Sequence, residues 1–292
     1  MPSEHDLRQD LLRFGHLCYE RHLLVAMDGN LSVRLPSGDL LCTRSGCHKG
    51  FLQDSDLIVV DAKGHRKRGE GQPTSEMAMH LACYAERPEI RAVIHAHPPL
   101  CVAFTLAGVS MSRAVLPEVV LTLGSIPTAP YETTGSEALA ETIRRYVKQY
   151  DAILMDTHGA VCVGRTLLEA FCRLETMEHT AQILKAAQDL GSVRSLPEDE
   201  VRTLKRLGEA RAGRPSPPPE APLPTSAPPA RPAPPPLADP LVDLDHIGIS
   251  HGLRMVRVSQ GPLRDAQANP DTPRTDLEAL VAEEVFKALK QG

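Results

Sequence analysis

The 292-residue sequence predicts an α/β fold in which a mixed or largely antiparallel sheet is flanked by helices. Three observations predict it. Short apolar, strand-like runs alternate with segments of three-to-four periodicity. Several neighbouring strand runs are joined by short turns, which disfavours a doubly wound parallel sheet. Hydrophobic residues make up 42% of the chain, enough to build a sizeable core.

The elements follow in order. Leu7, Leu11, Phe14 and Cys18 recur at helical spacing. Asp28-Gly29-Asn30 reads as a turn. Strands follow over residues 31–35, Leu40–Thr43 and Leu57–Val60. A helix begins near Thr74 or Ser75, either of which can cap it, and runs to about Glu86. Residues 91–97 are strand-like, and Pro98-Pro99 opens a new turn or helix. Two strands, Ala152–Met155 and 161–163, surround a tight His158-Gly159 corner, and Thr166 starts a long helix through about Gln188.

Composition changes abruptly near Gly213, and about half of the chain's 26 prolines fall between there and Pro240. Such a segment lacks backbone donors and core-forming residues, so it reads as an extended spacer. The chain divides into a body (1–212), a proline-rich linker (213–240) and a C-terminal extension (241–292). Aromatic residues are 3% with no tryptophan, and the net charge is -5 without a basic stripe, so nucleic acid is not an expected partner. The N-terminus has no apolar signal core and no apolar run reaches membrane-spanning length, so a cytoplasmic protein is expected, with no membrane partner. Seven cysteines without a C-x-x-C pair read as buried, reduced thiols.

Four features carry chemistry. In Val93-Ile94-His95-Ala96-His97-Pro98, residues two apart on a strand share a face, so His95 and His97 can turn two imidazoles to one ion. In Asp156-Thr157-His158-Gly159, a histidine sits at a strand end before a glycine that permits a sharp turn. Taken alone, it reads equally as a turn histidine with a local hydrogen bond. In Pro73-Thr74-Ser75-Glu76, Glu76 is either an ordinary helix-start charge or, beside a metal, a general base. Gly29-Asn30, Ser45-Gly46 and Thr74-Ser75 are turn and cap residues that can also offer N–H groups and hydroxyls to a phosphate. Lys49 reads as a phosphate partner or as a solvated surface charge.

Taken in order, these stretches resemble the class II aldolase/adducin family: Gly29-Asn30-Leu31-Ser32, Ser45-Gly46, Pro73-Thr74-Ser75-Glu76 with His80 and Tyr84, and His95-Ala96-His97-Pro98. Ile126-Pro127, Ala129-Pro130-Tyr131, His158-Gly159, Glu169-Ala170-Phe171 and Glu175-Glu178-His179 continue the series. The resemblance covers roughly Leu7 to Gln188 and rests on order and spacing together. It implies a three-layer α/β/α fold with a central, mostly antiparallel sheet, and a homotetramer. It implies one zinc ion per subunit, or another divalent metal, held by His95, His97, His158 and Glu76, with Glu76 also catalytic. Gly29, Asn30, Ser45, Gly46, Thr74 and Ser75 would bind phosphate, and His80 and His179 would be hydrogen-bonded structural residues.

The implied activity is cleavage of a ketose 1-phosphate of the fuculose or rhamnulose type to dihydroxyacetone phosphate and a small aldehyde. Pentose-phosphate 4-epimerases, dehydratases and decarboxylases of the family use similar metal sites and are the alternatives. The family's non-enzymatic, adducin-like binding members lack the metal histidines, and their retention here argues against that class. In the fuculose-phosphate-cleaving members a tyrosine from the neighbouring subunit donates a proton. The corresponding stretch here, Val115-Leu116-Pro117-Glu118-Val119, has none, and Glu118 is the acid at that place.

In the extension, Thr275-Asp276-Leu277-Glu278 forms a capping box, and Leu277, Leu280, Val281, Val285, Ala288 and Leu289 align along one stripe of a helix over about 275–290. Either this helix folds back on the body, or the linker presents it to another protein. It resembles the encapsulation peptides that bring enzymes to the shell proteins of bacterial microcompartments, which would make the chain a cargo enzyme in the compartment lumen.

Overall fold

The computed structural model describes residues 2–213 and 215. The linker, the extension and its helix over 275–290 therefore lie outside the described residues, apart from Gly213 and Pro215 at the linker's start. The first helix, α1 (Glu4–Glu20), begins at a reciprocal cap: the Ser3 hydroxyl accepts the Asp6 N–H, and the Asp6 carboxylate accepts the Ser3 N–H. Three strands follow as a meander, β1 (Asn30–Arg34), β2 (Leu40–Thr43) and β3 (Leu57–Val60), with a short edge strand β4 (Arg66–Arg68). Helix α2 (Met77–Glu86) leads to β5 (Ala92–Ala96), which pairs back onto β1. Helices α3 (Pro99–Leu106) and α4 (Pro117–Thr122) precede the two-residue β6 (Thr128–Ala129) and α5 (Glu137–Val147). The hairpin β7 (Ala152–Met155) and β8 (Gly159–Gly164), then α6 (Leu167–Leu190) and α7 (Glu198–Ala212), complete the described chain.

The strands form one eight-stranded sheet in the order β4-β3-β2-β1-β5-β8-β7-β6. Every pair is antiparallel except β6 with β7, which are linked by the crossover helix α5. The central strands are buried on both faces, which is why their sequences read as continuous apolar runs. One core lies between the sheet and α1, α3 and α6, using Leu31, Val33, Ile94, Leu154 and Cys162 from the strands. The other lies beneath α2 and α5, using Cys42, Val60, Val93, Ile153 and Val161. The α/β/α layering is thus present, with helices on both faces.

Some details differ from the sequence reading. Helix α2 starts at Met77, with Glu76 at the cap position and no side-chain cap. The Thr74 hydroxyl, three residues ahead of α2, instead accepts the Glu76 N–H at 3.3 Å and holds the turn that presents Glu76. Of the seven free cysteines, Cys172 is exposed rather than buried. Among the described residues, no helix is long and apolar enough to cross a membrane.

Candidate metal centre

The site forms where β1, β5 and the β7–β8 corner meet the start of α2. Asn30 is the register partner of His95, so the first residue of β1 lies against the metal-ligand candidate on β5. Gly29 must be glycine for two reasons. Its φ is +64°, and a side-chain carbon there would come within 2.6 Å of the His95 carbonyl oxygen. His158 ends a tight turn in which its N–H donates to the Met155 carbonyl at 3.1 Å. Thr157 in that turn has φ +53°, a conformation unusual for a β-branched residue.

His95, His97 and His158 converge, with one nitrogen from each lying within 4.8 Å of the others. His95 is fully buried. Its Nδ1 lies 2.9 Å from the Ala160 carbonyl oxygen, which only accepts, so Nδ1 carries a proton and Nε2 is the nitrogen turned to the site. That Nε2 faces His97 Nε2 at 3.0 Å and Glu76 Oε2 at 3.1 Å. Glu76 Oε1 is 3.4 Å from His158 Nε2, is buried, and has no hydrogen-bond partner. A buried carboxylate oxygen left orphaned beside three convergent imidazoles is an arrangement that a shared cation resolves. The donor set, three imidazoles and a carboxylate, suits zinc and related divalent ions. These residues therefore fit a divalent metal.

A directed hydrogen-bond chain supports Glu76 from behind. Tyr84 Oη lies 2.8 Å from Ser32 Oγ, Ser32 Oγ lies 2.6 Å from His80 Nδ1, and His80 Nε2 lies 2.5 Å from Asn30 Oδ1. Because Asn30 Oδ1 only accepts, His80 Nε2 is the donor, and each hydroxyl donates toward the site. Asn30 Nδ2 then donates to Glu76 Oε2 and to Thr74 Oγ1, both at 3.0 Å. Both amide hydrogens of Asn30 are thus engaged within the protein, and its side chain orients Glu76. His80 is a buried, hydrogen-bonded helix residue, whereas His179 lies on the exposed face of α6.

Electrostatics agree with this geometry. Burial raises the Glu76 carboxyl, but the hydrogen bond and charge of His95 and the Asn30 amide outweigh it and hold Glu76 well below the usual carboxylate range. Burial, reinforced by His95, pushes both His97 and His158 down to about 4, and burial takes His80 to about 3. At neutral pH these rings are neutral, the form in which imidazole ligates metals.

Glu76, His97 and His158 line a cavity of about 230 Å³ that also contains Gly29, Asn30, Ser45, Gly46, Thr74 and Ser75. All of the phosphate-binding candidates named from the sequence therefore gather at one opening. Lys49 lines it too and is buried, which removes the solvated-surface reading. Glu118 is exposed on α4 and is not among the cavity-lining residues. Sequence reasoning missed Arg44 and Thr134 on the cavity wall, and Asp28, whose carboxylate lies 3.7 Å from His97 Nδ1. It also missed the part played by Glu178, whose carboxylate accepts the N–H groups of Leu100 and Cys101 and caps the helix that follows His97.

Fold and site together define a class II aldolase-type protein. Residues 9–184 match the family described as Class II Aldolase and Adducin N-terminal domain, and the chain belongs to it. It is similar to 3-oxo-tetronate 4-phosphate decarboxylase of Escherichia coli strain K12, with 32% identity over 206 residues, 69% of this chain and 96% of that protein. It is also similar to L-fuculose phosphate aldolase of Methanococcus maripaludis, with 34% identity over 178 residues, 60% of this chain and 95% of that protein. Among solved structures, YgbL of Klebsiella pneumoniae superposes with a TM-score of 0.66 at 32% identity, covering 70% of this chain and all of that one.

Proposed function

We propose that the chain is a metal-dependent enzyme that breaks a carbon–carbon bond next to a carbonyl in a small phosphorylated sugar. The observation that carries this reading is the buried, unpartnered Oε1 of Glu76 beside three convergent imidazoles. A divalent cation held by His95, His97, His158 and Glu76, zinc or one of similar preference, would supply Lewis-acid polarisation of the substrate carbonyl.

Two reactions share the remaining chemistry. In retro-aldol cleavage of a ketose 1-phosphate, a hydroxyl loses its proton, the adjacent carbon–carbon bond breaks, and a small aldehyde leaves. In decarboxylation of a 3-oxo acid phosphate, the bond to the carboxylate breaks and carbon dioxide leaves. Either way an electron pair remains on the carbon beside the carbonyl and takes up a proton. Glu76 exchanges that proton through Oε1, while Asn30 keeps Oε2 fixed at 3.0 Å. Ser45, Gly46, Thr74, Ser75 and the Gly29 backbone line the same cavity and offer N–H groups and hydroxyls to the phosphoryl group.

Similarity to a fuculose-phosphate aldolase supports cleavage to dihydroxyacetone phosphate and an aldehyde. The decarboxylase reading draws on two specific observations. A decarboxylase relative is matched over 96% of its length at 32% identity, and the 115–119 stretch lacks a tyrosine. A homotetramer belongs to the same proposal. Met27, 60% exposed on the cavity wall, and Phe51, 73% exposed two residues from Lys49, support a subunit contact at this face.

The test is a screen of the metal-loaded protein with fuculose, rhamnulose and ribulose 1-phosphates and 3-oxo-tetronate 4-phosphate. Dihydroxyacetone phosphate identifies the aldolase and carbon dioxide identifies the decarboxylase. Inertness toward all four after loading with zinc, manganese or cobalt would overturn the proposal.

A further inference from the structure

Lys49 is among the largest fully buried side chains of the described structure, at 2% exposure. Its ammonium donates to the Met27 carbonyl at 2.7 Å and to the Cys47 carbonyl at 2.9 Å. An ammonium has three N–H donors, so one remains. Among the described residues no carboxylate comes within ion-pair distance of it, although Asp28 and Asp56 act on it at longer range. Burial lowers its pKa from the usual lysine value, and those two carboxylates oppose the shift. A buried cation with only neutral acceptors is costly unless an anion completes its shell. Lys49 lies on the wall of the cavity that holds Ser45, Gly46, Thr74 and Ser75.

The two carbonyls have a structural meaning as well. Met27 leads directly into Gly29-Asn30, and Cys47 follows Ser45-Gly46. One ammonium therefore ties together two of the three cavity loops. The third is already joined to both: Ser45 N donates to the Gln72 carbonyl at 2.8 Å, and Asn30 Nδ2 donates to Thr74.

We propose that Lys49 both clamps the 27–30 and 45–49 loops together and supplies the fixed positive charge that binds the substrate's phosphoryl group. The inference rests on the reading of this cavity as a phosphate site, and the test separates the two. Isothermal titration of inorganic phosphate into the full-length, metal-loaded protein is compared with the same titration of K49M. Wild type binds phosphate, while K49M binds it about tenfold or more weakly with unchanged metal content, as expected for loss of a charge-assisted hydrogen bond.

In wild-type protein labelled with nitrogen-15 at lysine, the Lys49 Nζ resonance shifts on phosphate addition and saturates with the calorimetric affinity. That measurement decides alone if K49M fails to fold. A folded K49M of unchanged phosphate affinity, or an Nζ resonance that phosphate does not move, overturns the role of Lys49 and leaves the phosphate reading intact. A wild-type protein that loads metal but binds no phosphate at tens of millimolar overturns both.

Discussion

Gly159 is the position where a single methyl group tests the metal centre. Its φ lies outside the left-handed region, so contact is the only obstacle to a side chain. A Cβ there would sit 2.5 Å from the Ala96 carbonyl oxygen and 2.6 Å from His97 Cδ2. Restoring an ordinary 3.4 Å contact requires β8 and β5 to part by about 0.9 Å at the point where His97 and His158 leave the sheet. Metal–ligand distances tolerate only about 0.2 Å. G159A is therefore expected to lose at least about 100-fold in zinc affinity, roughly 3 kcal/mol. Competition against a chromophoric chelator measures it, supported by the melting-temperature rise on adding zinc, which should be present in wild type and largely absent in G159A. Gly38 supplies the control: its φ is +90° with open space around it, so G38A carries backbone strain of about 1–2 kcal/mol without touching the site. G38A should melt earlier and bind zinc normally. A folded G159A that binds zinc within threefold of wild type would refute the convergence of the three rings on one ion.

Three further outcomes follow from the structure. Asp151 is buried and bridges Arg87 at 2.7 Å and Arg173 at 2.9 Å, so D151N, which removes the buried carboxylate and leaves the two guanidinium groups only the more exposed Glu89 and Glu169, should lower urea stability by about 3 kcal/mol; a loss below 1 kcal/mol would contradict the bridge. Thr157 holds φ +53° and its N–H donates to Thr105 Oγ1, a bond that survives any side chain, so T157N should gain up to about 1 kcal/mol because asparagine accepts this conformation more readily. A lower melting temperature would count against strain there. His80 titrates at about 3 in the fold and near 6.5 when unfolded, so the unfolded state binds more protons between those values. Stability is then complete above pH 6.5 and lost as pH falls toward 3, by about 3 kcal/mol at pH 4.5 from this group. H80Q should show a flatter acid limb than wild type, and parallel pH profiles would rule out the assignment.

Which parts of the fold were legible in the sequence follows from burial. Leu40–Thr43, Leu57–Val60 and Ala152–Met155 are buried at every residue, so each reads as an unbroken apolar run and its limits match the structure. β4 consists of Arg66, Lys67 and Arg68, all exposed, and carries no apolar pattern because it is an edge strand. β6 has two residues and exists only through its pairing with β7. Helix α5 does carry a legible pattern, Leu139, Ala140, Ile143 and Val147 behind the Ser136 cap, yet it is absent from the elements read above. Helix α7 buries only Gly208 and offers little periodic signal beyond its acidic start and its Gly213 cap.

At the site, residue identities were legible and their relations were not. Nothing local says that Asn30 lies opposite His95, that the Ala160 carbonyl orients the His95 ring, or that Lys49 turns inward, because each depends on which strands pair and in what register. Register itself follows from apolar burial. On β5, Ile94 faces the α1/α6 core and Val93 faces the α2/α5 core. His95 is therefore committed to the face beneath α2, where His80, Asn30 and Glu76 stand. A one-residue slip would send His95 into the opposite apolar layer and lift Ile94 into the polar pocket, at the cost of every buried pair along β5. The geometry of the three imidazoles and Glu76 is thus held by the same apolar residues that build the sheet, and mutations in the β5 core should disturb metal affinity before they disturb the cavity's outer loops.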